Sequence, residues 1–324
     1  MKAIMVGDGP ENALEWREVP DPRLGTHDVL VQIQATSVNR ADLLQRRGSY
    51  PPPPGASAYL GLEMAGIVAE LGAGTTGFAV GDRVFSILGG GGYAEAVAAD
   101  SRYLMHLPPA LSFEEGGAAA EVFLTAQVNL FTEAALQPGE TLLVHGGASG
   151  VGTAAIQLAV RAGATVCVTA RSEAKLAACR GLGATVAVNH SEGDWVAAVK
   201  DATGGGVDVI LDCIGGAYLD GNLAALRARG RLVCIGLLGG ATAELQLDEM
   251  LSRRLRIIGS VLRTRSADEK AAISAAFQRD YGDALAAREI LPVLHSIMPI
   301  QMVAAAHDLL EQFANIGKVA LRVR

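Results

Sequence analysis

The chain has no apolar run approaching the roughly 18 residues of a bilayer span, which excludes a helical membrane protein. A hydrophobic signal region is missing too: MKAIMVGDG at the N-terminus reads directly as a strand. No basic cluster is present, and the formal net charge of −7 argues against nucleic acid as a main partner. Cysteine is scarce. The four present (Cys167, Cys179, Cys213, Cys234) are scattered, without a C-x-x-C pair or a disulfide framework. Cys167, Cys213 and Cys234 fall within apolar strand runs, so they read as reduced core residues of a cytoplasmic protein. Six histidines include no ligand-spaced pair, and His145, closing an apolar strand run, reads as a satisfied core residue.

Half of the 324 residues are hydrophobic, and the length suggests two domains that each bury a core. The most informative span is TLLVHGGASGVG, residues 141–152. Thr141–His145 is an apolar run of strand length. Gly146, Gly147, Gly150 and Gly152 make the next turn glycine-rich, and Thr153–Ala162 reads as a helix. A strand, a tight turn and a helix N-terminus present free backbone N–H groups to an anion, which suits a dinucleotide pyrophosphate. The G-x-G-x-x-G fingerprint is met as Gly147-x-Ser149-x-x-Gly152, with serine at the middle glycine. A plain βα turn is the alternative; a second strand at 164–170 favours the nucleotide reading.

That second strand ends without the carboxylate that usually accepts hydrogen bonds from the ribose of NAD. It runs into Thr169, Ala170, Arg171 and Ser172, with Lys175 one helical turn further on. Cations at a helix start are unfavourable without an anion, so Arg171 and Lys175 point to the 2′-phosphate of NADPH. Solvated surface positions are the bland alternative.

Residues 1–120 show short alternating runs between Gly and Pro turns (3–6, 29–35, 66–71, 83–86, 92–98), the texture of an antiparallel β domain. From about residue 121 strands alternate with helices. Strands are predicted at 141–145, 164–169, 185–188, 207–212, 231–235 and 255–260, the pattern of an α/β doubly wound parallel sheet. A helix at 266–281 follows, and the tail, with one helix at 300–313, is expected to return to the first domain. The predicted division is thus 1–120, completed by 283–324, and 121–282. Pro51–Pro54 reads as a stiff loop shaping a cleft wall.

VNRADLLQRRGSYPPPPGASAYLGLEMAG (38–66), FLTA (123–126), HGGASGVGTAAIQL (145–158), LDCIGG (211–216) and NIGKVAL (315–321) resemble the medium-chain dehydrogenase/reductase superfamily. Within it the chain is similar to the zinc-free quinone oxidoreductases of the zeta-crystallin group, nearest to their tumour-suppressor-inducible branch. The resemblance implies a GroES-like antiparallel β domain with a Rossmann domain, and NADPH as cofactor. Zinc-binding relatives hold the metal through Cys, His and Cys; by motif those places carry Asn39, Leu62 and Glu121. Leucine offers no donor atom, and no cluster of cysteines lies near 86–100, so no zinc is expected.

Without a Lewis acid, the accepting carbon must be activated by conjugation, as in a quinone or enone. By resemblance Asn39 and Tyr50 line the cleft beside the nicotinamide, Asn39 as a donor to a developing oxyanion and Tyr50 as proton source or positioning contact. The same resemblance places Thr125 at the carboxamide and the backbone of Ser149, Gly150 and Val151 at the pyrophosphate. Cys213, Ile214 and Gly215 fall under the adenine-side ribose; Gly236, Leu237 and Leu238 border the nicotinamide ribose; Val261, Leu262 and Arg263 lie near the carboxamide. Lys318 reaches the cofactor from the tail. His190 stands where relatives often have Tyr, and can stack on adenine or meet the 2′-phosphate. An enoyl or 2-alkenal reductase, or a non-catalytic NADPH-binding protein, are the alternatives. LRIIGSV (255–261), apolar on both faces and last in the strand series, predicts a homodimer or homotetramer.

Overall fold

The computed structural model describes residues 1–7, 9 and 12–324. Two compact units emerge: Met1–Leu124 with Leu262–Arg324, and Thr125–Val261.

The first unit begins with β1 (Lys2–Val6), β2 (Leu14–Glu18) and β3 (Asp28–Ser37), then α1 (Arg40–Arg46) and β4 (Glu63–Leu71). It continues through β5 (Arg83–Ile87), β6 (Ala96–Asp100), β7 (Met105–His106), α2 (Phe113–Gly116) and α3 (Ala120–Gln127). Val29, Val31 and Ile33 alternate along β3 and pack on Met64, Val68, Val84 and Val97. That two-residue period drives the strand: one face is buried, the other partly open.

The second unit carries β8 (Thr141–His145), α4 (Gly150–Arg161), β9 (Thr165–Ala170), α5 (Glu173–Gly181), β10 (Val186–Asn189) and α6 (Trp195–Thr203). It ends with β11 (Val207–Asp212), α7 (Leu219–Ala225), β12 (Leu226–Cys234), α8 (Leu247–Arg253) and β13 (Arg256–Gly259). All six strands are parallel, in the order β10-β9-β8-β11-β12-β13. This is the doubly wound order with its switch point beside β8, where ligands bind such sheets. Leu143, Cys167, Ile210 and Leu232 form its core with Leu223 of α7.

The chain then adds α9 (Ala267–Ala286), β14 (Leu294–Pro299), α10 (Val303–Glu311) and β15 (Lys318–Arg322) to the first unit. Its main sheet runs β14-β15-β3-β4-β5-β7, with β6 on β3, and β15 lies antiparallel to β3.

Several expectations shift. The return to the first unit comes at Leu262 rather than 283, because α9 packs there: Phe277 stacks on Phe123 at 5.8 Å, and Asp268 pairs with Arg102 at 2.6 Å. The strand expected at 92–98 is β6, starting at Ala96, since Gly92–Glu95 forms loop bonds around Tyr93. In the tail, 300–302 is a 3-10 turn ahead of α10. Cys213 lies one residue past β11 and is partly buried, while Cys167 and Cys179 are fully buried; none of the four is in a disulfide among the described residues.

Candidate active site

The nucleotide-binding turn builds itself from glycine and serine. Gly146 is left-handed (φ 64°), and the Gly147 and Ser149 N–H groups donate to Thr169 O and Gly146 O at 3.0 and 2.8 Å. Ser149 is the N-cap of α4, its Oγ accepting from Gly152 N at 3.0 Å, an arrangement contributing about 1 kcal/mol. A Cβ on Gly152 would sit 2.4 Å from Gly146 O, and one on Gly147 would strike Val168 at 2.7 Å. The turn therefore closes only with glycine at both places. Among the described residues the N–H groups of Gly150 and Val151 have no partner, leaving two donors and a helix dipole for an anion. Ser149 is a correction: its own N–H is taken by the turn, and its contribution is the cap.

At the end of β9, Arg171 is exposed and Ser172 N-caps α5 with a side chain that makes no capping bond. The next carboxylate along the chain, Glu173, is paired with Arg180 at 2.5 Å. Lys175 is held below the usual lysine range by burial and then by Arg171, and His190 is lowered by the same two causes. Arg171, Lys175 and His190 thus bring three basic groups to one corner. His190 also meets the ring of Tyr218 edge-on at 6.4 Å.

Beyond β11, Asp212 accepts from the N–H groups of Ile214 and Gly215 at 2.8 and 2.9 Å. Those two N–H groups are therefore unavailable to a ribose, so contact from this loop comes through its surface. Leu238 N and Gly239 N close back onto Cys213 O and Ile214 O, which ties the Gly236–Leu238 loop to it; Leu237 and Leu238 are exposed. Thr125 Oγ1 is buried without a hydrogen-bond partner among the described residues, an acceptor-donor ready for an amide. Val261 is exposed at the end of the second unit. Two N–H groups open among the described residues, a basic corner and an orphaned hydroxyl fit NADPH. His145 is core, as expected: Nδ1 meets Thr169 Oγ1 at 2.9 Å and Nε2 meets Asn222 Oδ1 at 2.7 Å, and burial depresses it to about 4.

In the first unit the sequence-predicted polar residues belong to a buried network. Asn39 N-caps α1, yet the carboxylate of Asp42 accepts from its backbone N–H at 2.8 Å, so its side chain turns elsewhere. Asn39 Nδ2 donates to Glu63 Oε1 at 2.9 Å, and Oδ1 accepts from Lys318 Nζ. A carboxylate on the nitrogen side and an ammonium on the oxygen side fix the amide against flipping. Its second N–H has no partner among the described residues. Lys318 is buried, and its Nζ contacts Val38 O (2.9 Å), Asn39 Oδ1 and Glu63 Oε1 (3.0 Å). All three of its donors are taken, so Lys318 orients Asn39 and does not reach out to a cofactor.

Arg263 is likewise redirected. Its Nη1 donates to Tyr50 O at 3.1 Å, Nη2 to Gln45 Oε1 and Gly89 O, and Nε to Gly89 O. It clamps the Tyr50 loop instead of facing a carboxamide; Leu262 before it is buried. The Tyr50 hydroxyl makes no hydrogen bond among the described residues and lies above its ordinary pKa, chiefly through burial. Glu63, Asp42 and Gln45 escaped notice in the sequence, although an acid inside the apolar run LEMAGIV (62–68) was a readable sign.

Residues 25–109 match the alcohol dehydrogenase GroES-like domain family, and residues 150–278 match the family described as zinc-binding dehydrogenase. Quinone oxidoreductase from Rattus norvegicus is 32% identical over 99% of this chain and 97% of its own length. The chain belongs to the zinc-free quinone oxidoreductases of the medium-chain dehydrogenase/reductase superfamily. Zinc-binding members share its folds, but Leu62, which by motif stands at a ligand place, is a buried leucine with no donor atom for a metal. Solved structures cover all of this chain: an NAD-dependent alcohol dehydrogenase (33% identical, TM-score 0.89, 100% of that chain) and a mycobacterial protein complexed with NADPH (28%, 0.88, 100%). The CurK enoyl reductase aligns at 26% identity and TM-score 0.88 over 99% of its chain. Like-folded proteins thus differ in cofactor and substrate, and the choice falls to individual residues.

Proposed function

We propose that this oxidoreductase uses NADPH to reduce quinones or similar conjugated carbonyls. The observation that carries the reading is Asn39: a rigidly held amide with one free N–H, standing where zinc-binding relatives have a metal ligand. Bound NADPH supplies a hydride. The remaining work belongs to the chain. Gly150 and Val151 hold the pyrophosphate by N–H, and Arg171, Lys175 and His190 meet the 2′-phosphate. Thr125 engages the carboxamide. The free Asn39 N–H donates to the substrate oxygen as it gains charge, an interaction stronger in the transition state than before it. Tyr50, on its clamped loop, positions the carbonyl through its hydroxyl.

A second reading, a 2-alkenal or enoyl double-bond reductase, gains from the similarity to the CurK enoyl reductase and uses the same groups. A non-catalytic NADPH-binding protein is the third. Steady-state NADPH oxidation against ortho-quinones, para-quinones and 2-alkenals separates them; no turnover with any acceptor leaves only the binding protein.

A further inference from the structure

We propose that Asp42, braced by Tyr93 and His307, is a positioning residue of the reduction: it sets the direction in which Asn39 offers its free N–H. The inference rests on the reading of Asn39 as the donor to the substrate oxygen. Asp42 lies in the first turn of α1 and is fully buried. Its Oδ2 accepts from the Asn39 backbone N–H at 2.8 Å and from the Tyr93 hydroxyl at 3.2 Å; its Oδ1 accepts from the Gly61 N–H at 3.0 Å. Asn39 opens α1, and Gly61 lies two residues ahead of Glu63, which holds the Asn39 amide at 2.9 Å. One carboxylate therefore fixes the main chain of the donor through one oxygen. Through the other it fixes the main chain leading to the donor's anchor.

The Tyr93 hydroxyl is held in turn. With the carboxylate as acceptor, Tyr93 gives its single O–H to Asp42 and accepts from His307 Nε2 at 3.2 Å. His307, in α10, is wholly buried with its ring edge-on to Tyr93 at 5.9 Å, and its Nδ1 has no partner among the described residues. The backbone around Tyr93 leaves no slack. Its N–H donates to Leu60 O at 2.9 Å and its carbonyl accepts from Ile4 N at 2.8 Å. Gly61 is left-handed at φ 99°, and a Cβ there would stand 2.4 Å from Tyr93 N. A strut of three buried side chains thus runs from α10 to the start of α1.

Asp42 makes no ion pair among the described residues, and a buried carboxylate without a bonded cation is costly to the fold. What it supplies is geometric. Three donors, on α1, on the Gly61 turn and on Tyr93, share two oxygens, so none can swing away without leaving a buried group unpaired. The Asn39 side chain is committed to Glu63 and Lys318, so where its free N–H points follows from where its own backbone is pinned. A displaced helix start would turn that N–H off the substrate oxygen, a loss felt most when the oxygen gains charge.

The test is a double-variant cycle. Asp42→Asn keeps the shape but offers an acceptor oxygen at only one of the two places where donors converge. With a para-quinone it should lower kcat roughly tenfold, with NADPH Kd and quinone KM changed less than about twofold. Tyr93→Phe, which removes only the brace, should lower kcat several-fold in the same way. In an Asn39→Ala background neither change should cost more than about twofold further, because the group they act through is gone. A residue that merely supports the fold would lower kcat by the same factor in both backgrounds. That additive result, or unchanged kcat in both Asp42→Asn and Tyr93→Phe, overturns the inference. If Asp42→Asn fails to fold, the Tyr93→Phe cycle decides alone.

Independently, the side-chain amide resonances of Asn39, assigned by their loss in Asn39→Ala, should shift in Tyr93→Phe, although Tyr93 makes no hydrogen bond to that amide. Unmoved resonances overturn the inference as well. Absence of turnover in wild type, or full activity in Asn39→Ala, defeats the reductase or donor reading instead, and the resonance shift then still tells whether the strut reaches Asn39.

Discussion

The guanidinium of Arg263 lies 5.0 Å over the ring of Tyr50 while its Nη1 donates to the carbonyl oxygen of the same residue at 3.1 Å. One cation thus fixes both the backbone and the ring of the loop that presents the hydroxyl. Pro51–Pro54 behind it further reduces what the loop loses on binding. Arg263→Ala should therefore raise KM for quinone about tenfold, equivalent to about 1.4 kcal/mol, with NADPH affinity unchanged. Tyr50→Phe should cost several-fold in kcat/KM, about 0.5–1.5 kcal/mol, as one lost hydrogen bond does. A 10²-fold loss in Tyr50→Phe would instead make Tyr50 the proton source.

The basic corner at the end of β9 sets cofactor choice. Arg171→Ala and Lys175→Ala should each weaken NADPH by about 10- to 150-fold, the value of a charge-assisted hydrogen bond of about 1.5–3 kcal/mol, while sparing NADH. Fluorescence titration with both nucleotides checks it. Equal wild-type affinities would remove the 2′-phosphate assignment.

Lys318 and Glu63 form a buried pair at 3.0 Å. Lys318→Met leaves Glu63 charged and uncompensated, so stability should fall by about 3–5 kcal/mol in denaturant unfolding. Adding Glu63→Gln should recover much of that loss, because the remaining neutral amide needs no counter-ion. An additive double variant would show that the two do not act as a pair.

β13 occupies one edge of the parallel sheet and pairs only with β12, with Ile257 exposed on it. An apolar edge of this kind is a template for another strand. We expect a homodimer through β13, and Ile257→Asp should yield a monomer by light scattering at micromolar concentration.

Much of the second unit was legible because its signals are local. The runs 141–145 and 207–212 match β8 and β11 residue for residue, since an apolar stretch bounded by turn residues leaves little choice. The basic corner at Arg171 and Lys175 was likewise a matter of near neighbours. The first unit's site was not, because its meaning depends on partners far along the chain. Lys318 bonds Asn39 across 279 residues and Arg263 bonds Gln45 across 218, and no window of sequence shows which donors such pairings consume. The helix expected at 266–281 is present but was given to the wrong unit for the same reason: Phe277 looks like any helix residue until Phe123 is beside it.

The antiparallel pairing of β15 with β3 imposes an order of events on the growing chain. When a ribosome has released β3, β4 and α1, Glu63 and Asn39 are present but the lysine between them has not been made. The nucleotide-binding unit, contiguous from Thr125 to Val261, can complete its sheet first. Only β15 then brings the ammonium that fixes the Asn39 amide, so the donor we propose is assembled after the nucleotide-binding unit has already been made.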